Sequence, residues 1–275
     1  MTSAPLGLPR ARTRPRRTTP APIGLLAALG VAFLAIPLLG LLARTPWARL
    51  PELLASPVAL EALRLSLLCS LAATGVAVVL GIPLAWVLAR AQVPGRSAVR
   101  ALVTLPLVLP PVVGGVALLL AFGRRGLIGQ FLYDAFGVQL PFSTAGVIMA
   151  EAFVAMPFLV ITVEGALRSA DPRFEEAAAT LGAGRWTIIR RVTLPLIGPA
   201  ILAGTVLAWA RALGEFGATI TFAGNLPGVT QTLPLAVYSA LDRDRDAAIA
   251  LSLVLLVASL AVLVLLRDRY LRGTR

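Results

Sequence analysis

The chain has 275 residues with 58% hydrophobic side chains, a mean hydropathy of +0.87 and a formal net charge of +12. Soluble domains carry about 45–50% apolar residues, so this composition predicts a membrane protein. All basic side chains are arginine. The missing lysine excludes a standard phosphate-loop ATPase site, and the missing histidine removes the commonest general base and metal ligand.

The single cysteine, Cys69, lies inside an apolar run. One thiol forms neither an internal disulfide nor a thiolate metal site, so we interpret Cys69 as a small core residue. We expect no metal and no cofactor. If ATP drives this protein, another chain must hydrolyse it.

The first predicted elements are a basic tail and a membrane span. Residues 1–20 are rich in proline, arginine and threonine, which predicts a disordered cytoplasmic tail. The apolar run 23–42 is close to the ~20 residues that cross a bilayer and longer than the ~7–15-residue core of a signal peptide. We therefore expect residues 21–58 to form a first span and an outer loop.

Five further apolar runs predict five further spans. Their predicted ranges are 63–88, 98–122, 144–167, 197–222 and 247–266. The expected fold is all-α, a polytopic membrane bundle of six transmembrane helices, with residues 59–266 as its main membrane domain. Residues 267–275 are expected to form a second cytoplasmic tail.

The arginines predict the orientation of these spans, because loops on the cytoplasmic side of a membrane are enriched in positive charge. Short clusters flanking apolar runs are typical of this pattern rather than of nucleic-acid binding, so we expect lipid and no nucleic acid as a partner. Both termini are then cytoplasmic. The arginines on the tail side are the N-terminal cluster, Arg90, Arg96, Arg100, Arg168, Arg173, Arg185, Arg190, Arg191, Arg267, Arg269, Arg272 and Arg275.

The third predicted span contains several residues that weaken a helix. Pro106, Pro110, Pro111 and Gly114 all fall within residues 105–115. Proline removes a backbone donor, and in lipid the freed carbonyl groups must be covered by protein or water. We expect this segment to face the bundle interior or a transport pathway, or else to form a simple packing kink.

A short helix is predicted between the fourth and fifth spans. Asp171 and Pro172 form a helix start signal, Glu175 and Glu176 follow where the helix dipole favours negative charge, and Gly182 is placed to end the helix. Its apolar side is formed by Phe174, Ala178 and Leu181. We expect a capped helix held just outside the membrane and shaped to dock into a partner.

The fifth predicted span carries two charged residues, Arg211 and Glu215, four apart and so on one helical face. A charge at membrane depth costs about 2.5–3.5 kcal/mol by insertion scales, so the two should pair in the interior. The remaining donors would suit the brief passage of a hydrated oxyanion; they are Arg211, Thr219, Thr221, Asn225 and the backbone amides near the glycines. A purely structural ion pair is the alternative interpretation.

The segment after the fourth span resembles the Glu-Ala-Ala loop of ABC-importer permeases. Glu176, Ala177 and Ala178 are followed at the family spacing by Gly182 and by Leu194-Pro195, while Val192 stands where isoleucine is usual. The resemblance implies a coupling helix that sits in a cleft of a separate ATPase subunit. An ordinary capped surface helix is the alternative.

Two further stretches, residues 105–129 and 210–225, resemble the molybdate branch of these permeases, with sulfate and thiosulfate permeases as close relatives. The sulfate branch more often has tyrosine where this chain has Phe216. The likeness runs over about residues 63–266 and implies a type I ABC-importer permease fold. The chemistry of the third and fifth predicted spans makes these residues the candidates for the pathway or gate: Arg211, Glu215, Thr219, Thr221, Pro110, Pro111 and Gly114.

The same resemblance implies a bacterial plasma-membrane assembly. Two copies of this chain would form the pore, two ABC ATPase subunits would dock on the Glu176 loops, and an extracytoplasmic molybdate-binding protein would deliver the anion. Tungstate, sulfate and thiosulfate are alternative substrates, because another polypeptide makes most of the selection.

Two functions from other classes fit this sequence less well. A secondary transporter or channel would usually carry an internal repeat, which the two halves do not show, and would leave the Glu-Ala-Ala loop unexplained. An intramembrane enzyme would need a nucleophile and a base, and the chain lacks histidine, lysine and a usable cysteine.

Overall fold

The computed structural model describes residues 20–91 and 94–270, of which residues 21 and 265–270 are described as backbone only. The predicted tail 1–20 lies outside the described residues except for Pro20, and the predicted tail 267–275 lies outside them from residue 271 onward. The described regular structure is helical throughout. The chain divides into two units, residues 1–44 and 45–275; the first contains helix α1, Ala21–Arg44.

The second unit carries the remaining elements. They are α2 (Leu50–Leu54), α3 (Pro57–Arg90), α4 (Arg96–Val108), α5 (Pro111–Phe122), α6 (Gly129–Phe136), α7 (Thr144–Ser169), α8 (Arg173–Thr180), α9 (Arg185–Ile188), a π-helical turn (Ile189–Thr193), α10 (Leu194–Leu213), α11 (Gly217–Phe222), α12 (Leu233–Leu241) and α13 (Arg245–Tyr270).

Five described helical segments are long and apolar enough to cross a membrane. They are Pro22–Arg44, Pro57–Arg90, Thr144–Ser169, Arg185–Leu213 and Arg245–Val264. The all-α membrane bundle is thereby confirmed, whereas the predicted count of six continuous spans is not. Helix α13 continues to Tyr270, into the range predicted as a tail.

The third predicted span, 98–122, is two helices rather than one. Leu109 and Pro110 have extended backbone between α4 and α5, with ψ angles of 130° and 132°. Proline disfavours the helical conformation in the residue before it, while Pro111 suits the first position of the next helix. Because α5 has 12 residues, it is about 18 Å long, short of the ~30 Å apolar core of a bilayer.

The fifth predicted span, 197–222, is also broken. Helix α10 ends at Leu213, and α11 starts at Gly217 after Gly214, Glu215 and Phe216. On its other side α10 is continuous with the π-helical turn and α9, so the helical segment starts at Arg185.

The core of the bundle lies between α3, α7 and α10. Small residues at four-residue spacing, Ala73, Ala77, Gly81 and Ala85, form the buried face of α3, an arrangement that lets membrane helices approach closely. A Cβ atom added at Gly204 of α10 would lie 3.0 Å from Leu159 of α7. This close packing gives the broken segments a rigid scaffold.

Candidate functional site

Helix α8 begins one residue later than predicted, at Arg173. The Oδ1 atom of Asp171 accepts a hydrogen bond from the backbone N–H of Arg173 at 3.0 Å, as a capping residue does. The backbone N–H groups of Glu175 and Glu176 both donate to the carbonyl oxygen of Pro172 at 3.0 Å. Local interactions therefore account for the start of the helix.

The end of α8 depends on Gly182, whose φ angle is +81°. The N–H of Gly182 donates to the carbonyl of Ala179 at 2.9 Å, and the N–H of Ala183 donates to that of Ala178 at 3.1 Å. These two bonds form the glycine-dependent helix end known as the Schellman motif. A side chain at this left-handed position would strain the backbone, so the sequence needs glycine here.

Glu175 anchors α8 to the rest of the bundle. Its Oε1 atom accepts a hydrogen bond from Arg90 Nη2 at 3.1 Å and another from Thr193 Oγ1 at 2.9 Å. Arg90 is the last residue of α3 and Thr193 the last of the π-helical turn. The neighbouring Glu176 is exposed. Sequence reasoning missed the anchoring role of Glu175, because Arg90 lies 85 residues away.

The surface of α8 and α9 exposes large apolar side chains. Phe174, Leu181 and Trp186 are 57%, 88% and 67% exposed, and neither helix contains a buried residue. Exposed apolar patches of this kind mark interaction surfaces.

The six predicted coupling residues fall into two groups. Glu176, Ala177 and Ala178 lie on α8, which Gly182 ends, and Leu194 and Pro195 begin α10. Helix α8 packs against α9 and the π-helical turn that lead into α10, so the two groups belong to one connected loop structure. Of these six residues, two are half-buried, Ala178 and Leu194, and four are exposed, Glu176, Ala177, Gly182 and Pro195.

A buried carboxylate ties α4 to the bundle. Glu164 of α7 accepts hydrogen bonds from Arg100 of α4 and from Arg168 Nε, the latter at 3.0 Å. Arg168 Nη2 also donates to the carbonyl oxygen of Leu88 in α3 at 3.2 Å. This cluster joins three helices at one end of the bundle. The four-residue spacing of Glu164 and Arg168 is a local signal, but no local signal indicates the contacts with Arg100 and Leu88.

The predicted pair of Arg211 and Glu215 forms at the break between α10 and α11. Arg211 Nη1 lies 2.6 Å from Glu215 Oε2, with the side chains 28% and 1% exposed. Glu215 Oε1 accepts the backbone N–H of Ala218 at 2.8 Å. Glu215 therefore both neutralises Arg211 and caps the start of α11.

A cavity of about 360 Å³ lies between α3, α12 and α13. Three of the predicted pathway residues line a different, smaller cavity of about 110 Å³. Pro111, Gly114 and Arg211 all line the smaller cavity, and Arg211 is the only charged side chain among the described residues of its lining. Pro110 lies beside it, at the break between α4 and α5.

Thr219 and Thr221, also predicted as pathway residues, do not line this cavity. Thr219 is fully buried and its Oγ1 has no partner among the described residues, while Thr221 Oγ1 donates to the carbonyl oxygen of Gly217 at 2.8 Å. The physical reason is the tight packing of α11 on α5: a Cβ atom added at Gly115 would lie 2.6 Å from Thr221 Cβ.

Sequence reasoning also missed a second buried carboxyl group near the pair. Glu151 of α7 is 1% exposed, and its Oε2 has no hydrogen-bond partner within the described residues. It interacts electrostatically with Glu215 and with Cys69 of α3. A glutamate within the apolar run 144–167 is itself a signal of a special position.

The described residues contain long apolar helices, two breaks between helices at a buried ion pair, and an exposed capped helix. Together these features are typical of a multi-pass membrane transport subunit. Residues 77–272 match the family of binding-protein-dependent transport system inner membrane components. The chain belongs to this family, and as such it is a transport subunit rather than an enzyme.

Relatives within the family have transport functions. The chain is 52% identical over 238 residues to the molybdenum transport system permease protein ModB of Mycobacterium tuberculosis, covering 86% of this chain and 90% of the relative. It is 45% identical to ModB of Escherichia coli, covering 77% and 92%. The sulfate transport system permease protein CysT of Escherichia coli is 39% identical, covering 81% and 80%.

Solved structures confirm the ABC-importer permease fold. A chain of a bacterial ABC transporter involved in alginate import has a TM-score of 0.69 at 22% identity, covering 92% of this chain and 95% of that chain. The inward-facing methionine transporter MetNI gives 0.59 at 18% identity, covering 78% and 95%.

Proposed function

We propose that the chain is the permease subunit of an ATP-driven importer that moves molybdate across the bacterial plasma membrane. The observation that carries this proposal is the 52% identity over 86% of the chain to a molybdenum permease. The 39% identity to a sulfate permease makes sulfate the second candidate, and tungstate or thiosulfate would need the same kind of pathway. An extracytoplasmic binding protein delivers the anion.

The exposed apolar surface of α8 supports docking of a separate ABC ATPase. Phe174, Leu181 and Trp186 offer apolar contacts, and Glu175 holds the helix on α3 and the π-helical turn. Glu176 remains exposed for the partner. In this arrangement, movement of the ATPase would reach the membrane helices through the Arg90–Glu175 and Thr193–Glu175 contacts.

The backbone between α4 and α5 supports a homodimer. Pro110 and Pro111 have no N–H, so the carbonyl groups of Pro106 and Leu107 lose their usual helical partners. Such a segment does not face lipid, yet Val108 beside it is 85% exposed. A second copy would cover this face and complete a pore around the two Arg211–Glu215 pairs, in the two-fold arrangement most common among oligomers.

We propose the domain arrangement and the orientation of the chain on similar grounds. Residues 59–266 form the ABC transmembrane type-1 domain, preceded by the first helix and outer loop of residues 21–58. The basic segments 1–20 and 267–275 are cytoplasmic tails, and α8 lies on their side of the membrane. The excess of arginine on that side supports this orientation.

Charge reversal on α8 tests the docking surface. We expect Glu176→Arg to lower the affinity for the ATPase subunit by about tenfold or more, because unfavourable charge at an interface costs several kcal/mol. Co-purification of the ATPase with the permease, at several salt concentrations, measures this effect. The matched control is Glu52→Arg on α2, another exposed glutamate, which should leave docking unchanged. Equal retention of the ATPase by both variants would contradict the proposed surface.

A further inference from the structure

The larger of the two cavities, of about 360 Å³, lies apart from the proposed pathway. Residues of α2, α3, α12 and α13 line it, and among the described residues it shares none with the cavity at Arg211. Its volume falls within the range of about 300–1,000 Å³ that is usual for small-molecule sites. The proposed transport of an oxyanion gives this cavity no role.

The position of the larger cavity favours a lipid as its occupant. Val58 and Ala59 of its lining belong to the first turn of α3, and Ala247 and Leu251 belong to the first two turns of α13. Both helices are long and apolar enough to cross a membrane. A cavity at the ends of two spanning helices lies where lipid head groups meet their acyl chains. Most of its lining residues are apolar, which suits an acyl chain.

A buried amide lines the same cavity and has an unused acceptor. Gln231 is 7% exposed, and its Nε2 donates to Asn225 Oδ1 at 2.9 Å and to Ser239 Oγ at 3.4 Å. Its Oε1 atom has no hydrogen-bond partner among residues 20–91 and 94–270, and it is not fully enclosed by protein. Because buried polar groups normally have partners, an occupant with an N–H or O–H donor would complete this site.

The exposed rim of the cavity carries one charge of each sign. Arg243 and Asp244 both line the cavity and are exposed. Arg243 forms no ion pair within the described part of the chain, and Asp244 Oδ1 accepts the backbone N–H of Ala247 at 3.1 Å. A guanidinium group matches the geometry of a phosphate, and a carboxylate binds charged N–H donors strongly. The rim therefore fits a head group that carries both charges.

We propose that this cavity binds a membrane phospholipid whose zwitterionic head group carries N–H donors, as in phosphatidylethanolamine. The lipid phosphate pairs with Arg243, the ammonium group donates to Gln231 Oε1 and to Asp244, and an acyl chain lies along the apolar residues of α3 and α13. Phosphatidylcholine has the same charges but no N–H donor, so the site discriminates between the two lipids. This binding site is independent of the proposed transport function.

Native mass spectrometry of the complete transporter in detergent tests the proposal by counting bound lipids. The complex is titrated with phosphatidylethanolamine, phosphatidylcholine or phosphatidylglycerol that carry the same acyl chains. We expect phosphatidylethanolamine to bind about tenfold more tightly than phosphatidylcholine, because a hydrogen bond from a charged group contributes about that factor to an affinity. Phosphatidylglycerol lacks the ammonium group and should also bind more weakly than phosphatidylethanolamine.

Two variants connect this binding to the cavity. Arg243→Gln removes the partner of the phosphate and should weaken the binding of phosphatidylethanolamine by about tenfold. Gln231→Leu removes the buried acceptor and should reduce the preference over phosphatidylcholine. The matched control is Arg245→Gln, at an exposed arginine that does not line the cavity, and it should bind lipid as the wild type does. Arg243→Gln changes an exposed side chain, so it decides the test even if Gln231→Leu does not assemble.

Three results would overturn the proposal. They are equal binding of phosphatidylethanolamine and phosphatidylcholine by the wild type, tighter binding of phosphatidylglycerol, and equal effects of Arg243→Gln and Arg245→Gln. Because the measurement detects bound lipid and requires no transport, its outcome is separate from that of the proposed function. If the lipids bind as expected while the transporter moves no oxyanion, the proposed function fails and the lipid site stands.

Discussion

Replacing Gly182 by valine is expected to abolish coupled transport while leaving the helix bundle folded. The φ angle of +81° at this position is unfavourable for any residue with a Cβ atom and most of all for a β-branched one. Strain of about 1–3 kcal/mol would displace the end of α8 and the exposed side chain of Leu181 beside it. We expect ATP-driven uptake to fall by about tenfold or more.

The matched control for this prediction is Gly184→Val, two residues further along the chain. Gly184 has an extended backbone, with φ −69° and ψ 158°, and a Cβ atom there meets nothing within 4 Å. Uptake and ATPase activity should be measured together in both variants. Transport by Gly182→Val at the level of Gly184→Val would show that the shape of this helix end is not needed for coupling.

Removing the negative charge of Glu215 should have the second large effect. Glu215→Gln leaves Arg211 without its ionic partner at a largely buried position, and breaking a buried pair in this way costs about 3–5 kcal/mol. Because Arg211 is 28% exposed, solvent screens part of this cost. We therefore expect the free energy of unfolding to fall by about 3 kcal/mol, the lower end of this range. Thermal unfolding of the purified protein measures the loss, and uptake assays measure its effect on transport.

Two controls separate the ion pair from general effects of the substitution. Asp246→Asn breaks the exposed pair of Arg49 and Asp246, and exposed pairs contribute only about 0–1 kcal/mol. The double variant Arg211→Gln with Glu215→Gln removes both charges and should recover part of the lost stability. An equally small effect of Glu215→Gln and Asp246→Asn would contradict the structural importance of the buried pair.

Features that depend on neighbouring residues could be predicted from the sequence. The cap at Asp171, the helix end at Gly182 and the pairing of Arg211 with Glu215 each involve residues within a few positions of one another. The apolar runs predicted most of the spanning helices for the same reason, since length and hydropathy are local properties.

The helix breaks were only partly predictable. Pro110 and Pro111 indicated a weak point, but the structure contains two separate helices there. The break at Gly214–Phe216 contains no proline. It depends on the Glu215 carboxylate, which caps α11, and on the close approach of Gly217 to Pro111, where an added Cβ atom would lie 2.6 Å from the proline Cβ. Such contacts arise only when distant segments pack together.

The contacts that join distant helices could not be predicted. Arg90 and Glu175 are 85 residues apart, and Arg100 and Glu164 are 64 residues apart. Both arginines belong to clusters that the predicted orientation of the chain in the membrane already explains, so nothing in the sequence indicates that these two pair with distant glutamates.

The most direct test of the account is uptake of molybdate by proteoliposomes that contain this chain together with its ATPase and binding protein. We expect accumulation against a concentration gradient only when ATP, the ATPase subunits and the binding protein are all present. Accumulation of the anion against its gradient by the purified chain alone would contradict the account.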